Sequence, residues 1–189
     1  MRIYELVIDE EQDIYGVDAI SLVDEPAIET DFIALKRQYT FKQAADRQVL
    51  IGPALIPDKM IYRKDDNGEF SIYFSKNTVR RASELYLTRG LSNSFTKDHE
   101  SEVSNVHLVE SWIVESEQDK SRQYGFNVPL GTWMVAVKVT DTTLWAEAVK
   151  TGDVKGFSIE GYFINSMEKT KEEEAMAELE GLFKRMARS

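Results

Sequence analysis

Short apolar runs, several alternating with polar positions and most closed by turn-forming residues, recur along the chain and mark short strands. Ile3 to Ile8 is apolar and rich in β-formers, and Asp9 to Asp13 behind it is solvated. Ile14 to Val23 resumes the apolar pattern until Asp24-Glu25-Pro26 breaks it, because the residue before a proline is pushed out of the helical region. Phe32 to Leu35 is a third run. Residues 36–48 are polar and read as a linker, so a domain boundary is expected there.

From Val49 the pattern is denser. Val49 to Ile56 predicts a strand interrupted at Gly52-Pro53. Met60 to Arg63 and Glu69 to Phe74 predict a hairpin with Asn67-Gly68 at its turn. A helix follows, capped near Ser75 or Asn77, with Val79, Ala82, Leu85 and Tyr86 as its apolar stripe and Gly90 as its stop. Val106 to Val114, Thr132 to Val139 and Ser158 to Ile164 read as strands, the second with strict alternation of Trp133, Val135, Val137 and Val139. A capped helix is expected from Asp141 to Gly152. Beyond Glu168 the tail is helical in propensity, with Met176, Leu179, Leu182, Phe183 and Met186 on one stripe.

The expected fold class is α+β, mainly β: a small closed or partly open antiparallel β-barrel with peripheral helices. An extended N-terminal segment (1–48) would precede the barrel domain (49–165), and a C-terminal amphipathic helix (166–189) would follow it. That helix would cover apolar surface, pair with another chain or bind a partner.

Composition narrows the chemistry. Among 189 residues there is no cysteine and there are two histidines, His99 and His107. Disulfides, thiolate zinc sites and cysteine nucleophiles are thereby excluded. Without a His/Cys cluster a zinc enzyme is disfavoured, and neither cofactor nor metal is expected. The net charge of −10 argues against a nucleic-acid partner, since phosphates reward clustered Lys and Arg. The N-terminus carries no apolar signal core and no run approaches transmembrane length, so the expectation is a cytoplasmic protein with no membrane partner.

Gly156-Phe157-Ser158-Ile159-Glu160-Gly161 holds the first candidate residue. In extended backbone Ser158, Glu160 and Tyr162 point one way, and Phe157, Ile159 and Phe163 the other. Ser158 is therefore a candidate nucleophile on a polar face, with glycines on both sides to admit a substrate backbone. A serine on the solvent face of an edge strand is the plainer alternative. The segment is not a Gly-x-Ser-x-Gly elbow, since its glycines sit at −2 and +3. His99, in the polar run Thr96-Lys97-Asp98-His99-Glu100, is the candidate general base. His107 alternates with Val109, Ser111 and Ile113 and reads as a strand histidine with a structural hydrogen bond. Glu110 shares a strand face with Val106, Leu108, Trp112 and Val114, a face the pattern marks as buried. A carboxylate there needs a partner, either an imidazole to orient or a Lys or Arg to pair with. Glu160 is the competing acid.

The ordered set of features resembles the prohead maturation proteases of tailed bacteriophages, which are related in fold to herpesvirus assembly proteases. The resembling residues begin with Gly16 to Glu29 and Gly52-Pro53-Ala54-Leu55-Ile56-Pro57. Asp98-His99-Glu100, Val109 to Ile113, Pro129 to Trp133 and Lys155 to Phe163 follow. Together they cover roughly residues 1–165. The resemblance implies a serine endopeptidase with His99 as base and Ser158 as nucleophile. The herpesvirus pattern has a second histidine downstream of the serine; none follows Ser158, so an acid fills the role, Glu110 first and Glu160 as alternative, or the pair acts as a dyad. It also implies that the substrates are phage scaffold protein, major capsid protein and the enzyme itself, inside the assembling procapsid in the host cytoplasm. The terminal segments would then hold or target the zymogen, the C-terminal helix by docking or self-association. The rival expectation is a non-enzymatic or inactive scaffold or adaptor of the procapsid.

Overall fold

The computed structural model describes residues 2–9, 14–24, 33–34, 47–65 and 68–166. The expected C-terminal helix and most of the 36–48 linker lie outside them. The described strands are β1 (Arg2–Val7), β2 (Gly16–Val23), β3 (Ile33–Ala34), β4 (Val49–Leu55), β5 (Ile61–Asp65) and β6 (Gly68–Phe74). After helix α1 (Lys76–Thr88) come β7 (Phe95–Lys97), β8 (Ser101–Glu102), β9 (Val106–Ile113) and β10 (Trp133–Val139). Helix α2 (Thr142–Leu144), which continues as a π-helical turn over Trp145–Val149, precedes β11 (Gly156–Tyr162) and β12 (Ile164–Asn165).

These strands form three four-stranded sheets, ordered β12-β1-β6-β5, β3-β4-β10-β9 and β11-β2-β7-β8. The mainly β reading stands, but the sheets do not close into a barrel and are not purely antiparallel. β1 runs parallel to β6, and β2 parallel to β7. The reason is the N-terminal segment, whose two long strands enter as central strands rather than lying outside the remainder. Parallel neighbours need long crossovers, which local hairpin signals cannot announce. The expected boundary near residue 48 thus falls between strands that share sheets. Val17, Ile20 and Leu22 of β2 are fully buried in the main core.

β10 separates two apolar clusters. Trp133, Val135, Val137 and Val139 face the main core, and Met134 and Ala136 face a second one with Ile51, Val114, Phe126 and Val128. The alternation read in the sequence therefore buries both faces of this strand. α1 packs on the main core through Val79, Ala82 and Tyr86, whose ring meets Trp133 edge-on at 5.6 Å. Ser75 caps it, its side chain accepting the Thr78 N–H. The hairpin read from the sequence is present as β5 paired antiparallel with β6, but its strands extend further, to Asp65 and from Gly68, so Gly68 is paired with Asp65 rather than standing at the turn.

β9 corrects one expectation. Its pairing with β10 slips between Ala136↔Glu110 and Val137↔Leu108, a β-bulge at Val109. A bulge inserts one residue and reverses the alternation beyond it. Leu108 packs on the main core, whereas Trp112 packs on the second cluster. Glu110 does not share a buried face with Val106 and Leu108. Its side chain is 52 % exposed and ion-paired to Lys120.

Candidate active site

The third sheet assembles the polar residues. Ser158 of β11 lies opposite Ser21 of β2, and Ser21 lies opposite Thr96 of β7. Residues directly opposite one another share a sheet face. Three hydroxyls therefore form a row across adjacent strands. Glu160, opposite Ala19, stands two residues further along β11 on that same face.

His99 joins this row from the tip of the β7–β8 hairpin. Its backbone N–H donates to Ser21 Oγ at 3.0 Å, and its Nδ1 lies 3.1 Å from Glu160 Oε1. Thr96 Oγ1 donates to the same carboxylate oxygen. Glu160 is thus gripped from two sides, and the imidazole is oriented through Nδ1 with Nε2 left for other work. Ser158 is buried at 8 %, while His99 is 43 % exposed and Glu160 29 %. No hydrogen bond joins the Ser158 hydroxyl to His99. In free enzymes such contacts are often long and tighten only with substrate.

The structure brings Ser158, His99 and Glu160 to one face of one sheet. Glu110 sits on β9 in a different sheet, with Lys120. His107 Nδ1 pairs with Asn93 Oδ1 at 2.8 Å. Ser21 and Thr96 were not singled out from the sequence as site residues. For Ser21 the signal was there: it is a lone hydroxyl in the apolar run Ala19-Ile20-Ser21-Leu22-Val23, the feature that marked Ser158. Near Glu160, the Asp18 carboxyl is pushed up by burial, against the pull of Arg89 and with a further push from Glu160.

Gly161 has a different use from the one its position suggests. A Cβ there would stand 1.9 Å from the Gly16 carbonyl oxygen and 2.9 Å from Val17 Cα. The space is taken by the chain's own β2, not held open for a substrate. Beside it, Ser158, Ile159 and Phe163 with Leu6, Ile61 and Arg63 are among the residues lining a cleft of about 230 Å³. Among the described residues no group of His, Asp and Glu side chains could hold a metal ion. Likewise, no helix among them is long and apolar enough to cross a membrane.

No curated protein and no solved structure matches the chain. One family model does, over residues 36–168, and its description is "Putative phage serine protease XkdF". The matched span takes in β4 to β12 and with them His99, Ser158 and Glu160. It covers well over half of the 189 residues, and on that breadth the chain belongs to this phage serine protease family.

Proposed function

We propose that the protein is a serine endopeptidase with Ser158 as nucleophile, His99 as general base and Glu160 as the orienting acid. The observation that carries this reading is the 3.1 Å contact of His99 Nδ1 with Glu160, on the strand face that also bears Ser158. A carboxylate on Nδ1 fixes the tautomer in which Nε2 has a free lone pair, and it stabilises the imidazolium once a proton arrives. Glu160 takes the place first assigned to Glu110 because it, and not Glu110, is within reach of the imidazole.

In the proposed reaction Ser158 Oγ attacks the scissile carbonyl carbon while its proton passes to His99 Nε2. The tetrahedral intermediate collapses, the C–N bond breaks, and His99 returns the proton to the departing amine. Water then attacks the acyl-enzyme ester, giving a proton to His99. As the C–Oγ bond breaks, that proton passes to Ser158 and the carboxylic acid product leaves.

The biological role is proposed as prohead maturation: cleavage of scaffold protein, of capsid-protein extensions and of the enzyme itself within the assembling procapsid in the host cytoplasm. Membership of a phage serine protease family and the ordered resemblance to prohead proteases support it. Kinship with herpesvirus assembly proteases belongs to the same proposal, as do docking or self-association through the C-terminal segment.

The test is incubation of the purified protein with scaffold and major capsid protein of the same phage, with cut sites located by mass spectrometry. Ser158→Ala is expected to abolish cleavage. Its effect on stability should stay within about 1 kcal/mol, since it removes a hydroxyl that makes no hydrogen bond to another described residue. Continued cleavage by Ser158→Ala would sink the assignment, and binding of capsid protein without cleavage by the unaltered chain would favour a scaffold or adaptor.

A further inference from the structure

His99 meets Glu160 from a backbone conformation that non-glycine residues adopt only uncommonly. Asp98 and His99 have φ of 53° and 60°, both in the left-handed region. Consecutive non-glycine residues there persist only where the surroundings impose the conformation, and such outliers cluster at functional sites. Three hydrogen bonds impose it here. The Asp98 N–H donates to the Leu22 carbonyl at 3.0 Å, the Glu100 N–H to the Lys97 carbonyl at 3.0 Å, and the His99 N–H to Ser21 Oγ at 3.0 Å. Two of the three lead to neighbouring residues of β2. Only one of the three uses a side chain as acceptor.

Ser21 is 0 % exposed, in a strand whose adjacent residues Ile20 and Leu22 are core. A buried hydroxyl in such a strand is costly unless it is hydrogen-bonded. Its bond here goes to the residue that carries the imidazole, and its cross-strand partner is Ser158. Ser21 thus stands between the strand of the proposed nucleophile and the backbone of the proposed base. It lies outside residues 36–168, so the family match says nothing of it.

We propose that Ser21 is a positioning residue: its Oγ accepts the His99 N–H, holds the left-handed turn and so sets the imidazole against Glu160 on the face of Ser158. This rests on the reading of Ser158 and His99 as nucleophile and base. A merely structural Ser21 would support β2 without controlling where the imidazole stands.

The experiment uses the full chain as the unaltered protein, Ser21→Ala and Ser21→Thr. Imidazole NMR signals of His99 are read with those of His107 as an internal reference, and kcat and KM are measured on a cleaved capsid or scaffold peptide. In the Ser21→Ala protein the His99 signals should move to those of a freely averaging histidine while the His107 signals stay. Its kcat should fall about 100-fold with KM unchanged, the scale of a small misplacement of a reacting group. Ser21→Thr, which keeps the acceptor oxygen, should restore both. In the unaltered protein the His99 amide should be as protected from hydrogen exchange as the amides of β2. That measurement stands even if Ser21→Ala fails to fold.

An unprotected His99 amide, unmoved His99 signals in folded Ser21→Ala, or a wild-type kcat would each overturn the proposal. The NMR and exchange measurements do not require catalysis. If the unaltered protein cuts nothing, the peptidase reading fails while these still decide the role of Ser21.

Discussion

Glu110 and Glu160 are both strand glutamates that local alternation presents as partners for an imidazole, and a single bulge separates their fates. At Val109 the bulge turns Glu110 outward to Lys120, while Glu160 keeps its phase with Ser158 and meets His99 and Thr96. Glu160→Gln is therefore expected to lower kcat by about 10²–10⁴-fold, the range for losing the group that fixes the tautomer of a catalytic histidine. Glu110→Gln should leave the rate unchanged. Steady-state kinetics of the two variants on one peptide decide between the acids, and the reverse order would return Glu110 to the site. Ser158 and His99 could be picked out as candidates by residue type, since a hydroxyl in an apolar strand and a histidine in a polar loop stand out locally. Which glutamate comes within reach of the imidazole could not, because a bulge depends on the partner strand and leaves no mark in the alternation of its own.

Among the elements, β11 owes its placement to glycine. The Gly161 backbone lies so close to Gly16 and Val17 of β2 that any Cβ would meet main-chain atoms, which cannot rotate away. The pairing slips at the same point, between Glu160 and Gly161. Gly161→Ala should therefore push β11 off β2, costing about 2 kcal/mol or more in stability as overpacking against backbone does. Because Glu160 precedes that residue, cleavage should fall with it. Denaturant midpoints for Gly161→Ala, with Gly152→Ala as a comparison that meets no atom within 4 Å, measure this, allowing for the positive φ of 82° at Gly152. An unaltered midpoint in Gly161→Ala would show that β2 and β11 are not so tightly apposed. α1 and the pairing of β5 with β6 were readable in advance, since caps, stripes and hairpin signals are set by neighbours in sequence. β7 and β8, three and two residues long, carry too few positions to show a period, and pairing with β2 on one side and with each other makes them strands.

Over the whole molecule, the N-terminal strands tie the sheets together. β2 lies between β11, which bears Ser158 and Glu160, and β7, which leads to His99. β1 lies between β12 and β6 in the first sheet. The family match begins at residue 36, yet a chain begun there would lack β2, the strand that lies between those bearing the candidate residues. Such a truncated chain is expected to lose cleavage completely and to lose the cooperative unfolding transition of the full chain. Circular dichroism melts and the peptide assay check both, and a folded, active truncation would show that β2 is dispensable.

The amino-acid sequence by itself determined the mainly β class, the capped helix, the hairpin and the absence of cysteine chemistry, and it offered Ser158 and His99 as candidates. All of these follow from local preference, period and composition, which act between residues close in the chain. Only the tertiary structure decided that residues 1–24 supply central strands, that the sheets stay open, and that Glu160 rather than Glu110 meets His99. Those outcomes rest on parallel pairings, a bulge and a backbone contact between residues more than a hundred positions apart, and no local pattern encodes which distant strand will fill an open edge.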